Sequence, residues 1–515
     1  MDDASSMPTA DTAAEGGLAA ATFSGMRWAT LAKCVGEVLA ITGAVALARL
    51  IGPAGFGHAA VAQMLMPLAV ILTFEGFASV LVQRKEDDVV HREMAMMLSL
   101  MAGAVLTALV LVLSRTMAPR IFGQETADLL ALASPVFLIA SVSAVPRALL
   151  WRALDFRQVS LAEVGGMLVG TVVAVVFAAA GFGGRALIFG TLATVVVTTA
   201  VLLAGAPRVV PRWHGSARAT IGDFGIPAAA AGLVGVGLQN VDYAMVAARL
   251  TAGQAGIYWR AFQLGVIYQD KVSGIMLRIA FPVYARTPDL AELRRLHERA
   301  TRVHAAVVFP FLATFVVIAP ELVPFVFGDA WRAAVVPSQI LAAAGMAAAV
   351  LTGYPQVMLA AGRPRALLQF NSVFLVIYSA VVWFTIPLGI TGVAAGVSAV
   401  YAVMLVAVYR ALLRPTLQLP VRRLGSDIGP PLIGCAGAIA GGLLLRRLVL
   451  EAHGGSLGTL AVVPFGCLAL YAAMLRIAFP ALWNDLRDIA RRVLPSRPRR
   501  APPAFVLPDS VIESS

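Results

Sequence analysis

One stretch of the chain puts charge where an apolar helix has no use for it. Within "AGIYWRAFQLGVIYQDKVSGIMLRIAF" (255–281), Arg260, Gln263, Ile267, Asp270, Gly274 and Arg278 recur at three- and four-residue intervals. On a helix that spacing lines them along one side, with Lys271 on the flank beside Asp270. Lys33 and Glu37 stand one turn apart in an earlier apolar run, and Glu75 closes the next. Gln239, Asn240 and Asp242 precede the stripe. A charged side chain at a bilayer centre costs roughly 2.5–3.5 kcal/mol on insertion scales. Such groups therefore face a protein interior or a wet cavity, where they pair with one another or bind a polar solute. For Lys33, Glu37, Asp242, Asp270 and Lys271 the cavity is the better reading. Arg49, Arg249 and Arg278, close to the ends of their runs, read as residues reaching back to the interface. Glu163 has no evident partner in sequence and reads as structural.

The elements that must position these residues follow from composition. Of 515 residues, 59% are apolar and 13% charged, and mean hydropathy is +0.83, which calls for an all-helical integral membrane protein. Fourteen apolar segments are long enough to span, near 28–50, 56–80, 94–114, 127–149, 159–180, 186–206, 224–248, 255–281, 303–326, 333–360, 366–388, 391–413, 428–449 and 456–479. Net charge is +12. The basic residues are dispersed between apolar runs rather than clustered on a soluble face, which argues against nucleic-acid binding. They act as topology signals: the even-numbered joins hold twenty Lys and Arg and the odd-numbered joins eight. Both termini are thus expected in the cytoplasm. Residues 1–25 lack a basic start and an apolar core, and read as a disordered cytoplasmic arm rather than a signal peptide. Residues 285–302 read as an amphipathic helix lying on the membrane surface. The tail from 481 to 515 is basic, then Pro-rich.

The chain also repeats itself. "ALARLIGPAGFGHAA" (46–60) is echoed by "VAARLTAGQAGIYWRA" (246–261), and "RIFGQETADLLALASPVFLIA" (120–140) by "FVFGDAWRAAVVPSQILAAAG" (325–345). "GFGGRALIFGTLAT" (181–194) is weakly similar to "PLGITGVAAGVSAV" (387–400). Three echoes in order, each offset by about two hundred residues, imply two copies of a six-helix unit, 26–220 and 221–415. Six is even, so both copies enter the membrane the same way and are related by a pseudo-twofold axis along its normal. Spans 1, 2, 7 and 8 then hold equivalent places, and their polar faces are expected to line one cavity between the bundles. The two further spans, 416–480, have no counterpart and are expected at the periphery. Cys34, Cys435 and Cys467 lie in apolar runs without a pairing pattern. The six His show no ligand spacing, and no nucleotide-binding motif appears, so neither a metal, a cofactor nor ATP hydrolysis is expected.

Residues 25–86 resemble the amino-terminal signature of Wzx-type polysaccharide flippases, the PST branch of the MOP flippase superfamily. The matching features are Trp28, the turn Ala48 to Pro53, Phe56-Gly57, and "FEGFASVLVQRK" with Glu75. "RLTAGQAGIY" (249–258) is similar to the family's looser second-half turn. The resemblance implies a fold like that of MATE and MurJ transporters. It also implies an inner-membrane flippase for undecaprenyl-pyrophosphate-linked oligosaccharides, serving exopolysaccharide, capsule or O-antigen synthesis. Lys33, Arg260, Gln263 and Lys271 would then bind substrate, the cations offsetting pyrophosphate charge. Glu37, Glu75, Asp242 and Asp270 would bind sugar hydroxyls or carry a coupling H+ or Na+. Polymerase or export machinery is a further expected partner.

Two other readings share some of these features. A MATE-like drug antiporter usually has twelve spans and fewer cavity cations. A membrane polymerase or ligase generally needs a sizeable outer loop, and every odd-numbered join here is short. The reading makes a direct prediction: Asp270→Asn or Lys271→Ala abolishes polysaccharide export while protein level and membrane insertion stay normal. Normal export in both variants removes these two residues from the site.

Overall fold

The computed structural model describes residues 10–83, 88–267, 273, 284, 287 and 289–493. Among these every regular element is helical. That is what the bilayer demands, since backbone N–H and C=O groups in hydrocarbon must be satisfied internally. The first bundle holds α1 (Ala10–Ala69), α2 (Val89–Thr116), α3 (Gln124–Arg152), α4 (Phe156–Ala179) and α5 (Gly184–Gly205). The second holds α6 (Gly215–Arg249), α7 (Ala252–Phe262), α8 (Leu290–Phe327), α9 (Asp329–Ala360), α10 (Pro364–Thr385) and α11 (Gly389–Val408). Then follow α12 (Val421–Glu451), α13 (Gly455–Ala478) and α14 (Pro480–Val493). Ten stretches are long and apolar enough to cross a membrane, and two of them, Thr30–Phe74 and Pro364–Leu417, are each divided by a glycine turn. The expected total of fourteen rests on the sequence; the described residues show these ten.

The joins reveal why the sequence echoes. Gly52 breaks α1 at φ 71, ψ 175; Gly123 (φ 82, ψ 164) precedes α3, Gly328 (φ 99, ψ 164) precedes α9 and Gly389 (φ 73, ψ −172) opens α11. This region of backbone space is open essentially to glycine alone. Gly123 and Gly328 thus make the same turn at matching joins of the two bundles, which gives the echo between residues 120–140 and 325–345 a structural counterpart. At the join before α7 a different device serves. Thr251 caps the helix, its Oγ1 accepting from the Gln254 N–H while Gln254 Oε1 accepts from the Thr251 N–H, a reciprocal capping box. These turns define one face of the molecule, called below the glycine-turn face.

Several expectations change. Helix α1 begins at Ala10, inside the stretch read as a disordered arm. Residues 290–302 do not lie along the membrane surface; they are the first turns of α8, and Leu293, His297 and Thr301 are buried in the protein. The amphipathic pattern was real, but its apolar face packs against protein instead of lipid. Helices α12 and α13 are more than peripheral. Arg423 Nη2 meets Glu298 Oε2 at 3.3 Å, Arg302 Nη2 meets Asp427 Oδ1 at 2.9 Å, and Arg446 grips Glu321 with contacts of 2.6 and 3.0 Å. Each pair is 125 residues apart, so α8 and α12 run parallel and in register. Tyr471 of α13 adds a hydrogen bond to the Ala306 carbonyl at 3.0 Å. Between the bundles, Glu93 of α2 clasps the connecting segment through His214 Nε2 at 2.8 Å and Arg212 Nη1 at 3.8 Å.

Removing one partner of a buried ion pair costs about 3–5 kcal/mol, because the other charge stays behind. Asp427 is fully buried. Asp427→Ala is therefore expected to lower the unfolding temperature of the purified protein strongly, and Arg302→Ala in the same background to recover part of the loss. A melting curve for Asp427→Ala that overlays the parent's would show that the ladder carries no stability.

Candidate functional site

Three adjoining cavities run along the inside of the first bundle. The first, of 340 Å³, lies between α1 and α4 and is lined by Lys33, Glu37, Trp151, Ser160 and Glu163 among others. The second, of 350 Å³, shares Ala40 and Met167 with it and reaches Gln63, Arg260 and Gln263. The third, of 340 Å³, shares Glu163 and Met167 with the first and extends to Thr73 and Arg147. Each falls in the size range of ordinary ligand pockets. The sequence supplies this space by placing small residues on facing helices. Gly43 of α1 sits directly against Thr171 of α4, and Gly36 faces Met167 one level nearer Lys33.

Charge in the cavities is arranged as ion pairs at one end and at Arg260 at the other. Lys33 Nζ lies 3.1 Å from Glu37 Oε1. Arg147 Nη1 lies 2.7 Å from Glu163 Oε1, giving Glu163 the partner that sequence did not reveal. In the second cavity Arg260 is the one charged residue among the described residues that line it. It is 1% exposed, and its Nη1 donates to Gln263 Oε1 at 3.0 Å. Its guanidinium also lies 4.9 Å from the ring centre of Phe56, 4.6 Å from that of Phe327 and 5.1 Å from that of Trp331. A desolvated cation over an aromatic face gains about 2 kcal/mol. Here the rings come from both bundles.

That cage belongs to a larger seal on the glycine-turn face. Trp331 Nε1 donates to the Ala48 carbonyl at 3.0 Å and its ring meets Phe56 edge-on at 5.4 Å. Arg49 donates to the carbonyls of Val326, at 2.9 Å, and Phe325. It spans the two bundles instead of reaching back to the interface, whereas Arg249 stacks on Trp383 at 4.0 Å inside the second bundle. Tyr243 Oη donates to the Gly57 carbonyl at 2.8 Å. At the centre the backbones themselves touch: a methyl at Gly57 would collide with the Ala252 carbonyl, and one at Gly256 with the Pro53 carbonyl. The two contacts are mirror copies of each other across the pseudo-twofold.

Of the sequence-predicted site residues, the structure brings Lys33, Glu37, Arg260 and Gln263 to adjoining cavities. It does not bring Asp242 to them. Asp242 is 1% exposed and turned into the second bundle, where Tyr258 Oη donates to its Oδ2 at 2.6 Å. Tyr378 lies in the same buried cluster, with Tyr401 edge-on to it at 6.3 Å. Among the described residues Asp242 Oδ1 has no hydrogen-bond partner. The Glu75 side chain, Asp270 and Lys271 lie outside the described residues. Sequence spacing assumed ordinary helical turns through the stripe, yet residues Gln263–Ile267 form a wider π turn. Sequence also missed Glu163, Arg147 and the aromatic cage. The cage had one visible signal, the aromatics flanking glycine turns at Phe56 and at Phe327.

Residues 46–336, more than half of the chain, match the family described as polysaccharide biosynthesis protein. The chain belongs to that family. It is 26% identical over 402 residues to the lipopolysaccharide biosynthesis protein WzxC of Escherichia coli K12, covering 77% of this chain and 82% of that one. It is 25% identical to the teichuronic acid biosynthesis protein TuaB of Bacillus subtilis, over 72% and 78% of the two chains. A succinoglycan biosynthesis transport protein, ExoT of Rhizobium meliloti, is 25% identical over 59% and 62%. The fold is that of the lipid II flippase MurJ in an inward closed conformation, with a TM-score of 0.70 at 12% identity over 88% of this chain and 99% of that one. An inward-facing MATE transporter of the MOP superfamily gives 0.54 at 15% identity, over 72% and 92%. The resemblance to Wzx-type flippases drawn from residues 25–86 holds, and the chain is a polysaccharide biosynthesis family member with the fold of MurJ and MATE transporters.

Trp331→Ala removes one cage ring and the hydrogen bond to Ala48. Spin labels at positions 124 and 330, one on each bundle at the glycine-turn face, are expected to report longer and broader separations in this variant, and longer still with Gly57→Val. An unchanged distance distribution in both would mean that these contacts do not hold the face shut.

Proposed function

We propose that this protein is a lipid-linked oligosaccharide flippase of the inner membrane. It moves undecaprenyl-pyrophosphate-bound repeat units from the inner to the outer leaflet by alternating access. Both termini are cytoplasmic, and the glycine-turn face looks outward. The observation that carries the reading is the run of cavities from Lys33 to Arg260 inside a membrane-embedded bundle, ending at a sealed outer face. Sugar and pyrophosphate are costly to drag through hydrocarbon, while a polyprenyl tail is at home there. Polar cavities beside lipid let the head cross while the tail stays in the bilayer. The named relatives support the substrate class, since WzxC, TuaB and ExoT are all named for polysaccharide biosynthesis and MurJ for flipping a lipid-linked sugar.

In this reading Arg260 works in two states. With the outer face sealed it is the pin of the aromatic cage. When the bundles rock and the rings separate, its guanidinium is released to the pyrophosphate, which binds such a planar donor in bidentate fashion. Asp242 serves elsewhere. A buried carboxylate with one oxygen held by Tyr258 and the other without a hydrogen-bond partner among the described residues is suited to take up a proton or sodium ion. Its place between α6, α7 and α10 lets the counter-ion bias the packing of the second bundle. MATE-like drug export is the lesser reading, because that likeness is one of fold.

The test uses the purified full chain in proteoliposomes with lipid-linked oligosaccharide extracted from cells lacking the gene. Wild type is expected to make inner-leaflet sugar accessible to an impermeant sugar-oxidising enzyme outside. Lys33→Ala and Arg260→Ala should slow this at least tenfold. Asp242→Asn should remove its response to an imposed proton or sodium gradient, and the gradient that matters names the ion. Cells lacking the gene should accumulate the same lipid; normal export in those cells would sink the proposal.

A further inference from the structure

Resting on the flippase reading, we infer that the second cavity holds a sugar residue between two glutamines, one from each bundle. The sugar's hydroxyls donate to Gln63 Oε1 on the first bundle and accept from Gln263 Nε2 on the second. Both glutamines line that cavity, and each follows shortly after one of the echoed segments, 46–60 and 246–261. An amide can present either end to a ligand, so what matters is which end the protein has already taken. Thr191 decides this for Gln63. Its one hydroxyl proton goes to the Leu187 carbonyl at 2.9 Å, so toward Gln63 it can only accept, and Gln63 Nε2 donates to it at 2.9 Å. Gln63 Oε1 is thereby turned away from Thr191, and among the described residues it has no hydrogen-bond partner. Arg260 decides it for Gln263. A guanidinium only donates. Its Nη1 donates to Gln263 Oε1 at 3.0 Å, which leaves Gln263 Nε2 without a hydrogen-bond partner among the described residues.

Other polar groups of the cavity repeat this division. On the first bundle, Thr194 Oγ1 donates to the Gly190 carbonyl at 2.9 Å, as Thr191 does to that of Leu187, so both hydroxyls offer only lone pairs. On the second bundle, Trp259 and Arg260 carry side-chain donors and no acceptor. The described lining is therefore rich in acceptors on one side and in donors on the other. A hydroxyl is donor and acceptor together, and a pyranose carries several around its ring, so one sugar satisfies both walls. A phosphate oxygen at neutral pH only accepts. It suits the donors of the second bundle and finds none at Gln63 Oε1, Thr191 or Thr194. The phosphate end of a head group thus turns to Arg260 and Gln263, and the hydroxyls of the adjoining sugar to Gln63. A sugar held in this way touches both bundles, so its binding favours the arrangement that keeps both contacts.

The experiment measures equilibrium binding to the full chain in nanodiscs. Three probes are compared: undecaprenyl pyrophosphate, the same lipid carrying glucose, and that glucolipid with its sugar hydroxyls methylated, which keeps the acceptors and removes the donors. Wild type is expected to bind the glucolipid at least tenfold more tightly than the methylated or the bare lipid. Gln63→Leu should erase most of the preference for free hydroxyls and leave the methylated and bare lipids within twofold of wild type. Gln63→Glu, which keeps an acceptor, should retain the preference. Thr191→Val, which removes only the group that orients the amide, should lower it by less than Gln63→Leu does. Gln263→Leu should weaken the glucolipid at least fivefold. A glutamine that merely tied α1 to α5 would behave differently, with Gln63→Leu and Thr191→Val weakening all three probes alike. That outcome, a Gln63→Leu variant that keeps the full preference, or a wild type that binds the glucolipid and its methylated form equally, overturns the split site and leaves the flippase reading standing. A wild type that binds none of the three overturns the flippase reading itself.

Discussion

Backbone touching backbone at Gly57 and Gly256 is the contact on which the rest of the arrangement depends. A side chain at either position would hold the bundles apart by at least its own width. Because neither has one, the start of α7 and the segment after Gly52 approach until carbonyls meet alpha carbons. Only then do Phe56, Phe327 and Trp331 converge on one guanidinium, and only then can Arg49 reach carbonyls of the opposite bundle. The seal is made of many modest terms, a few hydrogen bonds and ring contacts of about 1–2 kcal/mol each. A contact assembled from such terms can also be taken apart at thermal cost, as a gate must be.

Much of this was legible in sequence, for identifiable reasons. The echo between residues 46–60 and 246–261 marked the very segments that cross, because close approach demands glycine and leaves a trace in composition. Lys33 with Glu37, and Arg260 with Gln263, were found because helical spacing reports which groups share a face. What spacing cannot report is how a helix is rotated within its bundle. Asp242 was placed with the right helix and the wrong side, since Gln239, Asn240 and Asp242 point in different directions from α6 and its rotation is set by Tyr258 and Tyr378. Glu163 looked solitary because its partner Arg147 lies on a different helix, sixteen residues back. The cage brings together residues some seventy to two hundred and seventy-five apart, and no local pattern encodes that.

Charged residues inside this protein follow two policies. Along α8 and α12 the carboxylates are nearly buried and each meets an arginine in register, Glu298 meeting Arg294 as well as Arg423, and the effect is to fasten. In the first bundle they are likewise matched but stand at the edge of empty space, Lys33 61% and Glu163 50% exposed as side chains, so that a ligand can compete for them. The difference lies in the carboxylates, nearly buried along α8 and α12 and more exposed in the first bundle, because a desolvated group exchanges partners slowly while a half-exposed one does so readily.

The in-register ladder between α8 and α12 makes the two halves of the molecule mechanically unequal. It welds α12 and α13 to the second bundle, and α14 continues from them with Leu482, Trp483 and Leu486 packed on the same core. The repeat alone would suggest two equal jaws. Instead one half has the added mass and lipid-facing area of two further spans and a terminal helix, and so meets greater viscous drag in the bilayer. Any relative motion of the two bundles would therefore fall mainly to the lighter amino-terminal one, a rotor against a heavier stator.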